Sequence, residues 1–154
     1  MAIENNLKSA LVLDISTKTI VNLLQTGSWI NRKSVLFFKQ YNLSTQQYNI
    51  LKILRGQKKR PTSLVEINER LISEISNTSR HVDKLKFKRY VTKKMSTTNL
   101  RKSEIRITNK GLMLLSKIDE EIDDFMGKTT EHLNRKEALI LNELLDKIRG
   151  RINW

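Results

Sequence analysis

Residues Ser63 to Leu85 read SLVEINERLISEISNTSRHVDKL, and the reading of the fold starts there. Ser63 with Glu66 three residues on is a capping box, which opens a helix. Leu64, Ile67 and Leu71 then give one apolar face at helical spacing. Ile72 and Ser73 interrupt the pattern, and Ser73 is positioned to cap a second helix from Glu74. That helix carries Ile75, Thr78, Val82 and Leu85 inward and shows Ser76, Asn77, Ser79, Arg80, Asp83 and Lys84 on its other face. Two short helices about a tight turn, the second apolar beneath and polar-basic above, form a helix-turn-helix candidate. The alternative on these residues alone is a helical hairpin with a solvated face.

Charge separates the two readings. The chain has 154 residues and a formal net charge of +13. From Ser76 to Lys110, eleven Lys/Arg stand against two acids, giving +9; from Gly111 to Trp154, seven stand against nine, giving −2. A basic centre beside a slightly acidic C-terminal part points to a polyanion at one surface. The length suits one domain, and the 38% hydrophobic content fits a helical protein that buries more surface by dimerising. The absence of cysteine excludes a disulfide framework and thiolate zinc sites. Met1 to Leu13 holds only the brief apolar run Ala10–Leu13, so no secretory signal is expected, and no run approaches membrane-spanning length. A soluble cytoplasmic chain with no membrane partner is the expectation.

Outward from the central stretch, the pattern is mostly helical. Leu7, Leu11 and Ile15 line a short N-terminal segment. Ser16 or Thr17 caps a long helix carrying Ile20, Leu24, Gly27, Ile30, Ser34, Phe37 and Tyr41. Ser44 and Gln47 form a capping box, with Leu43 set to staple onto Tyr48, and Tyr48, Leu51 and Leu54 make the buried stripe before Gly56. The basic loop Gln57–Pro61 follows. After the second helix of the central stretch, which runs to about Arg89, the period changes. Tyr90–Met95 and Glu104–Thr108 are rich in β-branched residues and read as a hairpin, with Ser96–Ser103 as a polar tip. A hairpin directly after a helix-turn-helix is a wing, and two strands alone must lean on the helices. Thr108 then caps a long helix ending at Gly127, with Leu112, Leu115, Ile118, Ile122, Phe125 and Met126 at helical spacing. Asn134 with Glu137 opens the last helix, which carries Ala138, Leu141, Leu144, Leu145 and Ile148 and stops at Gly150.

This order, with its motifs, resembles the MarR family of winged-helix transcription regulators. Ile67-Asn68-Glu69-Arg70-Leu71 is similar to the family's LAxxL helix, and Thr78–Leu85 (TSRHVDKL) to its recognition pattern TSRxVDxL. Asn99, Arg101, Ile105, Ile107, Thr108, Lys110 and Gly111 follow the wing pattern DxRxxxIxLTxKG. Three departures stand out: Asn99 replaces the wing Asp, Arg89 stands where a glycine usually ends the recognition helix, and Lys93 where Arg is common. The resemblance implies a mainly α fold with a small β-wing. A winged helix-turn-helix core (44–110) would be flanked by N- and C-terminal dimerisation helices (7–42 and 111–150), all in a single domain spanning 1–154.

The expected chemistry is recognition of double-stranded DNA. Base edges in the major groove need directed donors and acceptors: Arg80 suits guanine and Asn77 adenine, while Ser76, Ser79 and Lys84 reach bases or phosphates. Lys86 and Lys88 are placed for phosphates. Arg101 and Lys102 at the wing tip are set for the minor groove or its phosphates. His81 reads as a packing residue. The terminal helices carry apolar stripes that a second copy would cover. In the MarR-like scheme an aromatic or anionic effector binds where the dimerisation helices meet the winged helix. Phe37, Phe38, Tyr41 and Tyr48 are the candidates for that pocket, at a spacing that is equally that of ordinary core. The expected function is a sequence-specific transcription regulator, a repressor acting as a homodimer on a palindromic operator. The alternative is a winged-helix structural protein that binds nucleic acid non-specifically or docks an acidic protein. With two distant histidines, no glycine-rich phosphate loop and no metal constellation, neither catalysis nor a cofactor is expected.

Overall fold

Three capping boxes close in the structure. In the computed structural model, which describes residues 14–71, 77–95 and 103–150, Ser44 with Gln47, Ser63 with Glu66, and Asn134 with Glu137 each exchange side-chain and backbone hydrogen bonds. They start helices α2 (Thr45–Gly56), α3 (Leu64–Arg70) and α6 (Arg135–Ile148). The remaining elements are α1 (Ile15–Lys39), α4 (Thr78–Phe87), β1 (Val91–Met95), β2 (Ser103–Ile107) and α5 (Asn109–Thr129). Mainly helical with a two-stranded antiparallel wing, the architecture is the one expected from the sequence.

Three local expectations are corrected. The cap of α1 is Asp14, not Ser16 or Thr17: its carboxylate accepts the backbone N–H of Ser16 at 2.9 Å and of Thr17 at 3.1 Å. A carboxylate that takes two orphan donors outcompetes a hydroxyl that takes one. Helix α1 runs unbroken through Gly27. Helix α5 likewise passes through Gly127 to Thr129, because an interior glycine costs only about 1 kcal/mol against alanine, less than four turns of helix return. The helix expected from Glu74 does not run into α4. Asn77 has φ of +76°, a left-handed conformation that breaks any helix there and that Asn tolerates better than most residues. The proposed cap Ser73 and the inward Ile75 lie outside the described residues.

Residues up to Ile118 form one compact unit and those from Asp119 a second. In the first, α2 packs against α1, α3, α4 and β2, and α4 packs on α3 and β1. Ile50, Leu51 and Leu54 of α2, Ile67 of α3, Val82 and Leu85 of α4, Val91 and Ile105 of the wing, and Leu115 and Ile118 of α5 are fully buried. Burying each such side chain is worth about 1.5–3 kcal/mol. The wing leans on the helices as two strands must. The register pairs Val91 with Ile107 and Lys93 with Ile105. Thr62, just before the cap of α3, exchanges both backbone hydrogen bonds with Ile105 at 2.9 Å. In the second unit, α6 buries no residue, and Leu139, Leu141, Leu144 and Ile148 are exposed.

Candidate nucleic-acid interface

Helix α4 presents a polar face because its apolar face is fixed below. Thr78, Val82 and Leu85 are buried at steps of four and three, as the spacing predicts. The Thr78 hydroxyl donates to Asn68 Oδ1, which ties α4 to α3. The opposite face exposes Asn77, Ser79, Arg80, Asp83, Lys84 and Lys86. The structure thus places four of the expected DNA-contacting residues, Asn77, Ser79, Arg80 and Lys84, exposed along a single helix, the first three at its start and Lys84 in its last turn. Ser76, Arg101 and Lys102 lie outside the described residues.

The far end of α4 is closed by a corner whose residues show in the sequence only as a family pattern. Arg89 takes a left-handed conformation, φ of +64°. Its N–H donates to Lys86 O at 2.9 Å, and that of Tyr90 to Leu85 O at 3.0 Å, the paired bonds of a Schellman motif. The next carbonyls are taken by the start of α5. Thr108 donates its hydroxyl to Arg89 O at 2.8 Å and its N–H to Tyr90 O at 3.0 Å. Lys110 Nζ reaches Lys88 O at 3.1 Å and lies over the Tyr90 ring. Thr108 Oγ1 also accepts the Gly111 N–H at 3.1 Å, so it caps α5 as expected. Gly111 itself has no room for a side chain: a Cβ there would lie 2.4 Å from Tyr90 O and 2.8 Å from Ile107 Cγ1. The Thr-x-Lys-Gly run is therefore the clamp between helix and wing.

In the sequence, Lys93 stands out only as a departure from arginine. In the structure its Nζ sits 2.8 Å from Asp83 Oδ1 and 3.3 Å from Ser79 Oγ, linking β1 to α4. The alternation of the hairpin gives the signal: Lys93 shares the inward face with Val91. On the opposite strand, Arg106 donates to Lys59 O at 2.9 Å and so joins the wing to the basic loop.

The four aromatic residues do come together. Phe38 stacks on Tyr48 with centroids 4.4 Å apart, and Phe37 meets Phe38 and Tyr41 edge-on at 5.1 and 5.6 Å. Phe38, Tyr41 and Tyr48 are buried and Phe37 is half-buried, so the cluster fills core. Beside it, a cleft of about 320 Å³ is lined by Lys39, Asn42, Leu43, His81, Lys84 and Lys88, among others. Desolvation, then the charge of Lys84, lowers the pKa of both His81 and Lys88, with Arg80 adding to the effect on His81. Lys88 also donates to the carbonyl of Asn42. His81 is half-buried, in keeping with a packing role. No cluster of three or more His, Cys, Asp or Glu able to hold a metal ion exists among the described residues. None of their helices is long and apolar enough to cross a membrane.

Helix, helix, helix-turn-helix, clamped wing and long helix in this order decide the fold when set beside solved structures. A MarR-like transcription regulator from Bacillus cereus superposes with a TM-score of 0.81 at 20% identity, over 90% of this chain and 98% of that one. The chain has the MarR fold. The same MarR architecture is found in Bordetella bronchiseptica BpsR, whose DNA binding is regulated by 6-hydroxynicotinic acid: TM-score 0.77, 18% identity, 91% of this chain and 99% of that one. An organohalide-sensing transcriptional regulator with 2,4-dichlorophenol bound superposes at 0.81 with 20% identity, over 90% and 81%. No protein-family model and no curated protein matches this sequence. In the MarR fold α3 and α4 take the place of the helix-turn-helix and β1–β2 that of the wing.

Proposed function

We propose that this protein is a transcription regulator that binds double-stranded DNA sequence-specifically, as a homodimer on a palindromic operator, and represses by occupying it. The observation that carries the reading is the recognition helix: Asn77, Ser79, Arg80 and Lys84 stand exposed on a helix whose other face is locked into the core. Base edges need such directed groups on a rigid support. The +9 charge of residues 76–110 supplies the attraction to phosphate. Ser76, Arg101 and Lys102 complete the set of DNA contacts in this reading, the last two to the minor groove and backbone. The dimer rests on the exposed apolar positions Ile20, Leu24 and Ile30 of α1 and, separately, Leu141, Leu144 and Ile148 of α6, which a second copy covers. The flanking segments 7–42 and 111–150 are the dimerisation helices. The effector is a small aromatic or anionic molecule. With Phe38, Tyr41 and Tyr48 committed to core packing, its site is the basic cleft beside them. The ligands named for two structural neighbours, 6-hydroxynicotinic acid and 2,4-dichlorophenol, are of that class.

The test is selection of bound sequences from random duplex DNA, followed by salt titration of mutants. A palindrome should emerge. Arg80→Ala should then cost about 1–3 kcal/mol for each base it reads and relax one symmetric pair of positions. Arg101→Ala should weaken all duplexes alike and flatten log K against log salt by about 0.9 for each phosphate no longer neutralised. Salt-sensitive binding with no sequence enriched would leave the non-specific module as the better reading.

A further inference from the structure

We infer that Lys93 is a positioning residue of the DNA-facing surface: it is the built-in counter-ion of Asp83. This rests on the DNA-binding reading above. Asp83 is the one acid on α4, and it is 57% exposed on the side that carries Ser79 and Arg80. A bare carboxylate there would repel the phosphate backbone. Lys93 Nζ sits 2.8 Å from that carboxylate and keeps only 20% of its own side chain exposed. Its strand register explains why. Lys93 pairs with Ile105, which is fully buried, and lies two residues from buried Val91. It therefore occupies an inward position, where an ammonium is stable only beside an anion. Lys94, its neighbour, pairs with Glu104 on the other face and is exposed. A lysine meant for phosphate belongs at a position like that of Lys94. Lys93 does its work through Asp83.

The hydrogen bond to Ser79 is a second tie between β1 and α4. An ammonium has donors and no acceptor, so at 3.3 Å Ser79 Oγ receives a hydrogen bond from Lys93.

The experiment measures duplex affinity across a salt series for the wild type, Lys93→Met, Asp83→Asn, the double variant and Lys93→Arg, with unfolding midpoints as a folding control. Lys93→Met should weaken binding to every duplex by about tenfold, because it leaves a like charge facing the backbone. Adding Asp83→Asn should restore affinity to near the wild-type value with an unchanged salt slope, and Lys93→Arg should bind as the wild type does. An unrescued double variant whose salt slope is flatter by about 0.9 per phosphate would make Lys93 a direct phosphate ligand and overturn the inference. So would a Lys93→Met protein with undiminished affinity. A wild type that binds no duplex would overturn the DNA-binding reading and this inference with it. Binding by the wild type without rescue overturns the inference alone.

Discussion

The two ends of α4 follow opposite rules. At the C-terminal end Lys88, Arg89 and Tyr90 have their carbonyls taken by Lys110 and Thr108, and Gly111 is pressed against the backbone. At the N-terminal end Asn77 is left-handed and its side chain makes no capping hydrogen bond. Helix ends are ordinarily satisfied by caps. Here one end is closed by partners from the start of α5, and the other begins at a left-handed residue and is tied to α3 through Thr78 and Asn68. In the proposed function, the clamped corner gives a helix of ten residues its rigidity while the exposed face does the reading. Substitutions at the closed end should act on stability and leave the intrinsic affinity for DNA alone.

The largest effect expected at the closed end is that of Gly111→Ala. The added methyl would lie 2.4 Å from Tyr90 O, a backbone atom that cannot swing aside. A cost of about 3 kcal/mol follows from overpacking at such a site, read as a lower urea midpoint. Wild-type stability in this variant would mean that the corner yields and that the contrast between the ends is weaker than drawn.

Thr108→Val comes next. It removes the hydroxyl that donates to Arg89 O and Tyr90 O and accepts from the Gly111 N–H. The destabilisation should be about 1–2 kcal/mol, the usual cost of removing a cap, with operator affinity per folded molecule unchanged. A fall in affinity as large as the fall in stability would show that the clamp also sets the reading face.

The smallest effect has the opposite sign. Arg89 holds φ of +64°, where a Cβ is strained and glycine is not. Arg89→Gly should stabilise the chain by about 1 kcal/mol, seen as a higher midpoint. A destabilised Arg89→Gly variant would mean that the arginine side chain contributes more than its backbone costs.

What could be read from the sequence was local. The capping boxes at Ser44, Ser63 and Asn134 need only residues three apart, and each formed. The inward set Thr78, Val82 and Leu85 follows from helical spacing, and all three are buried. Asp14 was missed because Ser16 and Thr17 are also good caps, and only the backbone geometry chooses among them. The break at Asn77 carries no signature beyond Asn itself, since a polar residue on a helix face reads the same as one in a left-handed corner. Lys93 and Asp83 are ten residues apart on different elements, so their pairing depends on strand register and on how the wing lies against α4. The aromatic residues near Tyr41 could be read as pocket or core because their spacing fits both; in the structure Phe38 stacks on Tyr48 and three of the four are buried.

The Thr62–Ile105 bridge joins residues 43 positions apart in the chain. Helices α2, α3 and α4 draw their first packing partners from neighbours in sequence, and loops between them are short to close. The bridge must wait until the chain between has been gathered, because distant pairings repay their closure entropy late. Its two hydrogen bonds are therefore expected to close after the helices have formed. Thr62 immediately precedes Ser63, the cap of α3, so this closure anchors the start of that helix to the wing.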